Sequence, residues 1–277
     1  MTTEGTARTP EGTTPTPVVF VHGLWLHADS WAPWVERYAA AGYDAHAPGW
    51  PGDGATVEET RANPDTVGGY GIDEVVAHYV EVLDGLAAQA VVVGHSFGGL
   101  IVQRLLTAGH ARAGIAIDPA PMRGNILLPP SSLKVAAVAL KNPAHYKGSV
   151  SLTPEEFRYG FANELSDEEA AELYERWTIP SPGRPLFEDA AANLFPHSAA
   201  KVDSKNADRG PLLFVAGGMD HTAPASLTKT SAKIYRRHSD AVTDLHEFPD
   251  RGHSLTIDHG WAEVADTTLT WLKEQGI

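Results

Sequence analysis

The stretch Ala90-Val91-Val92-Val93-Gly94-His95-Ser96-Phe97-Gly98-Gly99-Leu100-Ile101 constrains this chain more than any other. Its apolar, β-branched start is too short for a helix and reads as a strand buried on both faces, while Leu100, Ile101 and Leu105 carry helical spacing. One serine stands between strand and helix. Gly94-His95-Ser96-Phe97-Gly98 is thus a G-x-S-x-G pattern in the strand–turn–helix setting of a nucleophile elbow. A turn this sharp strains the serine's backbone and needs neighbours without bulky Cβ groups, which Gly94 and Gly98 provide. Ser96 Oγ is expected to project above the sheet, where the helix N-terminus favours negative charge. Taken alone, the pattern also fits an ordinary βα turn.

Composition narrows the partners. The formal charge of −14 is spread along 277 residues without an acidic block, which argues against nucleic acid and anionic membrane. The absence of cysteine removes disulfides, thiolate catalysis and Cys-based metal sites together. Met1 to Pro17 carries no apolar signal-like core and no apolar run approaches a membrane span, so the expected location is cytoplasmic. No H-E-x-x-H, phosphate-cradling Gly-Lys-Ser/Thr loop or G-x-G-x-x-G is present, and the histidines are scattered. No metal and no cofactor are expected, and the partner is a small-molecule substrate.

In chain order, residues 1–16 read as a disordered tail. Val18–Val21 is a strand ending at His22-Gly23, and Asp29 or Ser30 can cap a helix carrying Trp31, Trp34, Val35 and Tyr38. Tyr43–Ala47 is a short strand, and Gly49–Gly71 a long polar loop, functional or mobile by its length. An amphipathic helix over Ile72–Leu86 leads to the Ser96 strand. Ala113–Ile117 is the next strand, broken by Asp118-Pro119. Strands alternating with helices imply a mostly parallel sheet whose sites lie at the strands' carboxyl ends. From Met122 to about Arg209 the alternation stops, and helical stretches over 132–141, 154–164, 167–177 and 186–194 are separated by prolines and glycines. Leu127, Leu128, Leu133, Phe157, Phe161, Trp177 and Phe195 could line an apolar pocket there, or simply form the insertion's own core. Leu212–Val215 resumes the sheet, Pro224–His238 is a helix, Val242–Phe248 is the last strand, and a final helix begins near Asp258.

The elbow, together with Phe20-Val21-His22-Gly23-Leu24-Trp25, Gly217-Gly218-Met219-Asp220 and Gly252-His253, resembles the α/β-hydrolase family, from about Pro17 to the end apart from the middle third. The resemblance implies an α/β fold with a core over 17–121 and 210–277. Residues 122–209 would be a helical cap inserted after the strand that follows the elbow. A full member usually places two strands before the Phe20 strand, for which there is no room, so a sheet trimmed of its first hairpin is expected. In the family's order of Ser, acid and His, Ser96 is the nucleophile, Asp220 the acid and His253 the base, each after its own predicted strand. Asp118 competes for the acid role, since some relatives use that position. His246 and His259 read as structural, and His95 as pointing away from the site. The resemblance also gives the oxyanion-binding N–H groups to Leu24 and Phe97. Trp25, Leu26 and His27 would border the acyl or alcohol pocket, with Leu128 and Trp177 as further substrate contacts; Trp25 reads equally well as an anchor for the first helix. Together these features imply a serine hydrolase of a neutral, moderately hydrophobic ester, thioester or lactone. Carbon–carbon hydrolysis, perhydrolysis, acyl transfer, a lyase or cyclase, and a hydrolase-derived receptor remain alternatives on the same fold.

Overall fold

The structure is a computed structural model and describes residues 15–277. The tail expected over 1–16 lies outside the described residues except for Pro15 and Thr16. Six strands, β1 (Pro17–Val21), β2 (Asp44–His46), β3 (Val91–His95), β4 (Ala113–Ile117), β7 (Leu212–Gly217) and β8 (Thr243–Phe248), form one sheet in the order β2-β1-β3-β4-β7-β8. Every pairing is parallel. Four of these strands are buried along their whole length, as their unbroken Val, Ile, Ala and Leu runs require when helices cover both faces. Among the described residues no strand precedes β1, in line with a sheet trimmed of its opening hairpin.

The sheet sits between two helical layers. One face packs on α1 (Ala32–Ala40) and α10 (Trp261–Glu274), where Phe20 lies in an aromatic group with Trp31, Trp34 and Tyr38. Burial of each such side chain contributes about 1.5–3 kcal/mol. The other face packs on α3 (Ile72–Asp84), α4 (Phe97–Thr107) and α9 (Ala225–His238). The first helical turn, Ala28–Trp31, is capped by neither Asp29 nor Ser30. His27 does so, its Nδ1 accepting the Asp29 N–H at 3.1 Å. Gly49–Gly71 is not one open loop either, because Thr56 caps a short helix α2 (Val57–Ala62) within it.

Between β4 and β7 the chain forms α5 (Pro130–Leu140), α6 (Pro154–Gly160), α7 (Asp167–Trp177) and α8 (Arg184–Ala190). A two-stranded antiparallel pair, β5 (Ser149–Val150) with β6 (Ser181–Pro182), has no signature in the sequence because each strand is two residues long. Arg61 of α2 binds this insertion to the sheet layer, donating to the carbonyls of Tyr174, Glu175 and Thr178 at the end of α7, where unpaired carbonyls attract a cation.

Candidate active site

The carboxyl ends of β1, β3, β4, β7 and β8 open onto one edge of the sheet, and each delivers one part of the site. Ser96, after β3, has φ 57° and ψ −123°. A left-handed backbone at a residue with a side chain is strained, by about 1–3 kcal/mol, and survives only where the surroundings over-determine it. Here they do. The Ser96 N–H donates to the Ile117 carbonyl at 2.9 Å, and a Cβ on Gly98 would strike the Val21 carbonyl oxygen. Among the described residues only Trp25, Ser96 and Asp118 have positive φ without being glycine, and all three lie at this edge.

His253 follows β8 and is fully buried. Its Nδ1 is 2.6 Å from Asp220 Oδ2, while Asp220 Oδ1 accepts the Thr222 and Ala223 N–H groups at 2.6 and 2.9 Å. Asp220 is thereby fixed through both oxygens. An Nδ1–H donated to that carboxylate leaves Nε2 as the basic atom. Nε2 is buried and has no hydrogen-bond partner among the described residues, Ser96 included. The loops carrying the pair are joined by Met219 N–H to the Arg251 carbonyl at 3.0 Å, and the His253 loop is braced by the Arg251–Asp258 ion pair.

Asp118 is a neighbour of this pair and not a member of it. Its Oδ1 accepts the Gly217 N–H at 2.7 Å, and its Oδ2 is buried without a hydrogen-bond partner among the described residues. Burial, and then the nearby Asp220 charge, push its carboxyl well above the usual range. His95 departs from its expected direction. Its ring lies 4.4 Å from that of His253, because it ends a fully buried strand and faces the loop after β8. Burial, then the neighbouring His253, hold its pKa well below normal, which keeps it uncharged. Single donor atoms of His95, Asp118 and His253 all lie within 4.8 Å of one another. Phe161 closes the group edge-on to His253 at 4.7 Å. His246 lies within β8 against Phe248, and His259 pairs with Glu169 on the surface.

The loop after β1 faces Ser96. A Cβ on Gly23 would come within 2.6 Å of Ser96 Cβ, so only glycine permits this approach. The N–H groups of Leu24 and Phe97 have no partners among the described hydrogen bonds, whereas the Trp25 N–H is spent on Ser181 Oγ at 2.6 Å. Residues missed in the sequence hold this loop. The Trp50 N–H donates to His22 Nε2 at 3.1 Å, Asp53 Oδ2 approaches the same nitrogen at 3.0 Å, and Trp50 Nε1 donates to the His22 carbonyl. The one available signal was the length of the loop that carries them.

A cavity of about 280 Å³ opens beside Ser96. Trp25, Phe97, Leu127, Leu128 and Leu133 line it, together with residues of α5, α8 and the start of α9. Three expected pocket contacts do not: Leu26 is buried and bridges to Thr178, and His27 and Trp177 are engaged elsewhere. His27 is buried, bonded to the Asp29 N–H and the Gly54 carbonyl as a helix cap. Trp177 lies at the end of α7 beneath the Arg176 guanidinium, on a separate hollow, because Ala170 and Leu173 take that helix's inward stripe. Phe157 and Phe161 form buried core, and Phe195 is exposed elsewhere.

A strained serine between strand and helix, with a buried acid–histidine pair at strand ends along the same sheet edge, is the arrangement found in hydrolases of the α/β class. The sequence profile described as the alpha/beta hydrolase family matches residues 18–267. The chain belongs to that family and is a hydrolase. Its fold resembles that of a monoacylglycerol lipase from Paleococcus ferrophilus, at a TM-score of 0.67 and 22% identity over 95% of this chain and 96% of the other. It also resembles a methylesterase from Arabidopsis (TM-score 0.63, 17% identity, 93% and 99% coverage) and tomato methylketone synthase I (0.65, 16%, 95% and 100%). No curated protein matches the chain. None of its described helices is long and apolar enough to cross a membrane.

Proposed function

We propose that the protein hydrolyses a carboxylic ester, thioester or lactone of a neutral, moderately hydrophobic substrate through an acyl-enzyme on Ser96. The observation that carries this reading is the buried His253–Asp220 contact of 2.6 Å beside a strained serine that opens onto a mostly apolar cavity. His253 Nε2 accepts the Ser96 proton as Oγ attacks the carbonyl carbon, and Asp220 stabilises the imidazolium that forms. The oxyanion accepts hydrogen bonds from the Leu24 and Phe97 N–H groups. His253 then returns its proton to the leaving group, and water repeats the sequence on the acyl-enzyme. His253 Nε2 makes no hydrogen bond to Ser96 among the described residues, and such contacts commonly tighten only around substrate. Residues 122–209 act as the cap over a core of 17–121 and 210–277, and their apolar lining selects the substrate. The protein works in the cytoplasm on a small molecule.

The test is hydrolysis of p-nitrophenyl esters from acetate to palmitate, with labelling of Ser96 by a fluorophosphonate. A chain-length optimum that vanishes in Ser96→Ala, with Ser96 labelled in the native protein, is the expected result. An unlabelled Ser96 would overturn the reading.

A further inference from the structure

The polar groups lining the cavity beside Ser96 divide sharply by what they already bind. Asn125 is spent on the Leu227 carbonyl and Ser231 Oγ at 2.9 and 3.1 Å, Asn193 on the Gly124 N–H and the Asn125 carbonyl, and Thr222 on the Gly160 carbonyl. Two groups stand apart. Asp189, on α8, is the one charged side chain among the lining residues, and its carboxyl has no hydrogen bond or ion pair among the described residues. Ser132, on α5, has its Oγ closed off from solvent and likewise without a partner. The two helices pack against each other.

The contrast with the preceding residue is instructive. Glu188 is engaged by Arg184 Nε at 2.7 Å and by the Ile72 N–H at 2.8 Å. The next side chain turns about 100° around the helix, towards the cavity, and meets no cation. Lys134 of α5 is spent on the face of the Tyr159 ring at 3.5 Å. The Asp189 side chain is half-buried among Leu186, Ala192 and the leucines of the cavity wall, and a carboxylate held there without a protein partner gives up part of its hydration at a cost. Burial alone pushes the Asp189 carboxyl up to about 7. Perturbed groups of this kind in a cleft mark binding sites more often than folding devices.

We infer that Asp189, with Ser132, forms a polar subsite that recognises a hydroxyl group on the substrate. The inference rests on the cavity beside Ser96 being the substrate pocket. A hydroxyl both donates and accepts, and so can satisfy a carboxyl and a serine Oγ together. It also sheds far less hydration on entering an apolar cavity than an ammonium does. The substrate is thus a neutral, hydroxyl-bearing ester whose remaining surface is apolar, and an analogue with a methyl group in place of the hydroxyl leaves the subsite unpaired.

The experiment uses the full-length Ser96→Ala protein, which holds esters intact, and calorimetric titration with two matched pairs. Methyl 6-hydroxyhexanoate is compared with methyl heptanoate, and 6-hydroxyhexyl acetate with heptyl acetate, covering a hydroxyl on either side of the ester. In one pair the hydroxyl member is expected to bind about 10-fold tighter or more, a preference that vanishes when Asp189→Leu is added and falls partway with Asp189→Asn. Equal binding within both pairs overturns the subsite, as does a preference that neither Asp189 substitution moves. Native protein that turns over no ester, while Ser96→Ala keeps the preference, would remove the hydrolase reading and leave the subsite standing.

Discussion

On the sheet side of the cavity, Asp220 makes three hydrogen bonds, His253 is fully buried, and the strained Ser96 is locked by the Ile117 carbonyl. On the insertion side, Leu128 and Leu133 line the same cavity with 73% and 50% of their surface exposed. The first wall tolerates no movement, because positioning within about half an ångström decides a catalytic constellation. The second is a rim of apolar side chains with few fixed contacts, suited to different substrate shapes. On the function proposed above, chemistry and selectivity fall to two parts of the chain built under different constraints.

The largest effect expected of that division is at Ser96. Ser96→Ala should lower kcat/KM for a p-nitrophenyl ester by about 10⁴-fold or more, with little change in Tm, as read by steady-state kinetics and calorimetry. Asp220→Asn should follow, with a loss of about 10³–10⁴-fold in kcat, whereas Asp118→Asn should cost less than about 10-fold. Equal losses at the two aspartates would mean that they act as one unit.

Gly23→Ala comes next, at about 10²-fold in kcat/KM, because its methyl group would sit 2.6 Å from Ser96 Cβ and displace the Leu24 N–H. Asp118→Asn offers a stability measurement on the same wall. Asp118 binds its proton more tightly in the folded chain than in the unfolded one, so the native fold loses stability as pH rises from the ordinary carboxylate range through the raised pKa. The variant should melt above the native protein at about pH 8, and the margin should shrink as pH falls towards about 4. The smallest effect is expected at the rim. Leu128→Ala should shift the preferred acyl length with a few-fold change in kcat/KM and less than about 0.5 kcal/mol in stability, since the side chain is already mostly exposed.

What the sequence disclosed follows the same division. The six strands and the residues at their carboxyl ends were legible because a buried parallel strand must be a short apolar run, and because Ser96, Asp220 and His253 each follow one. The contacts of the insertion were not. Whether Trp177 faces the cavity depends on which stripe of α7 turns inward, and His27 is drawn into capping by an N–H two residues on. Trp50 and Asp53, which hold the His22–Gly23 loop, and Ser181, which receives the Trp25 N–H, act across long separations in sequence that no local pattern records. The orientation of His95 towards His253 likewise emerges only when the loop after β8 folds over the strand end.

The trimmed sheet has a consequence for how copies of this protein meet one another. Among the described residues β2 is an outer strand of the sheet, with its far side open to a strand from another molecule. It is only three residues long, and two of them, Asp44 and His46, are exposed, with their polar side chains 3.0 Å apart. At the opposite border, β8 presents Asp244, His246 and Glu247 among its six residues. Brevity and charge on both margins discourage strand addition, and so disfavour the edge-to-edge growth that leads to fibres.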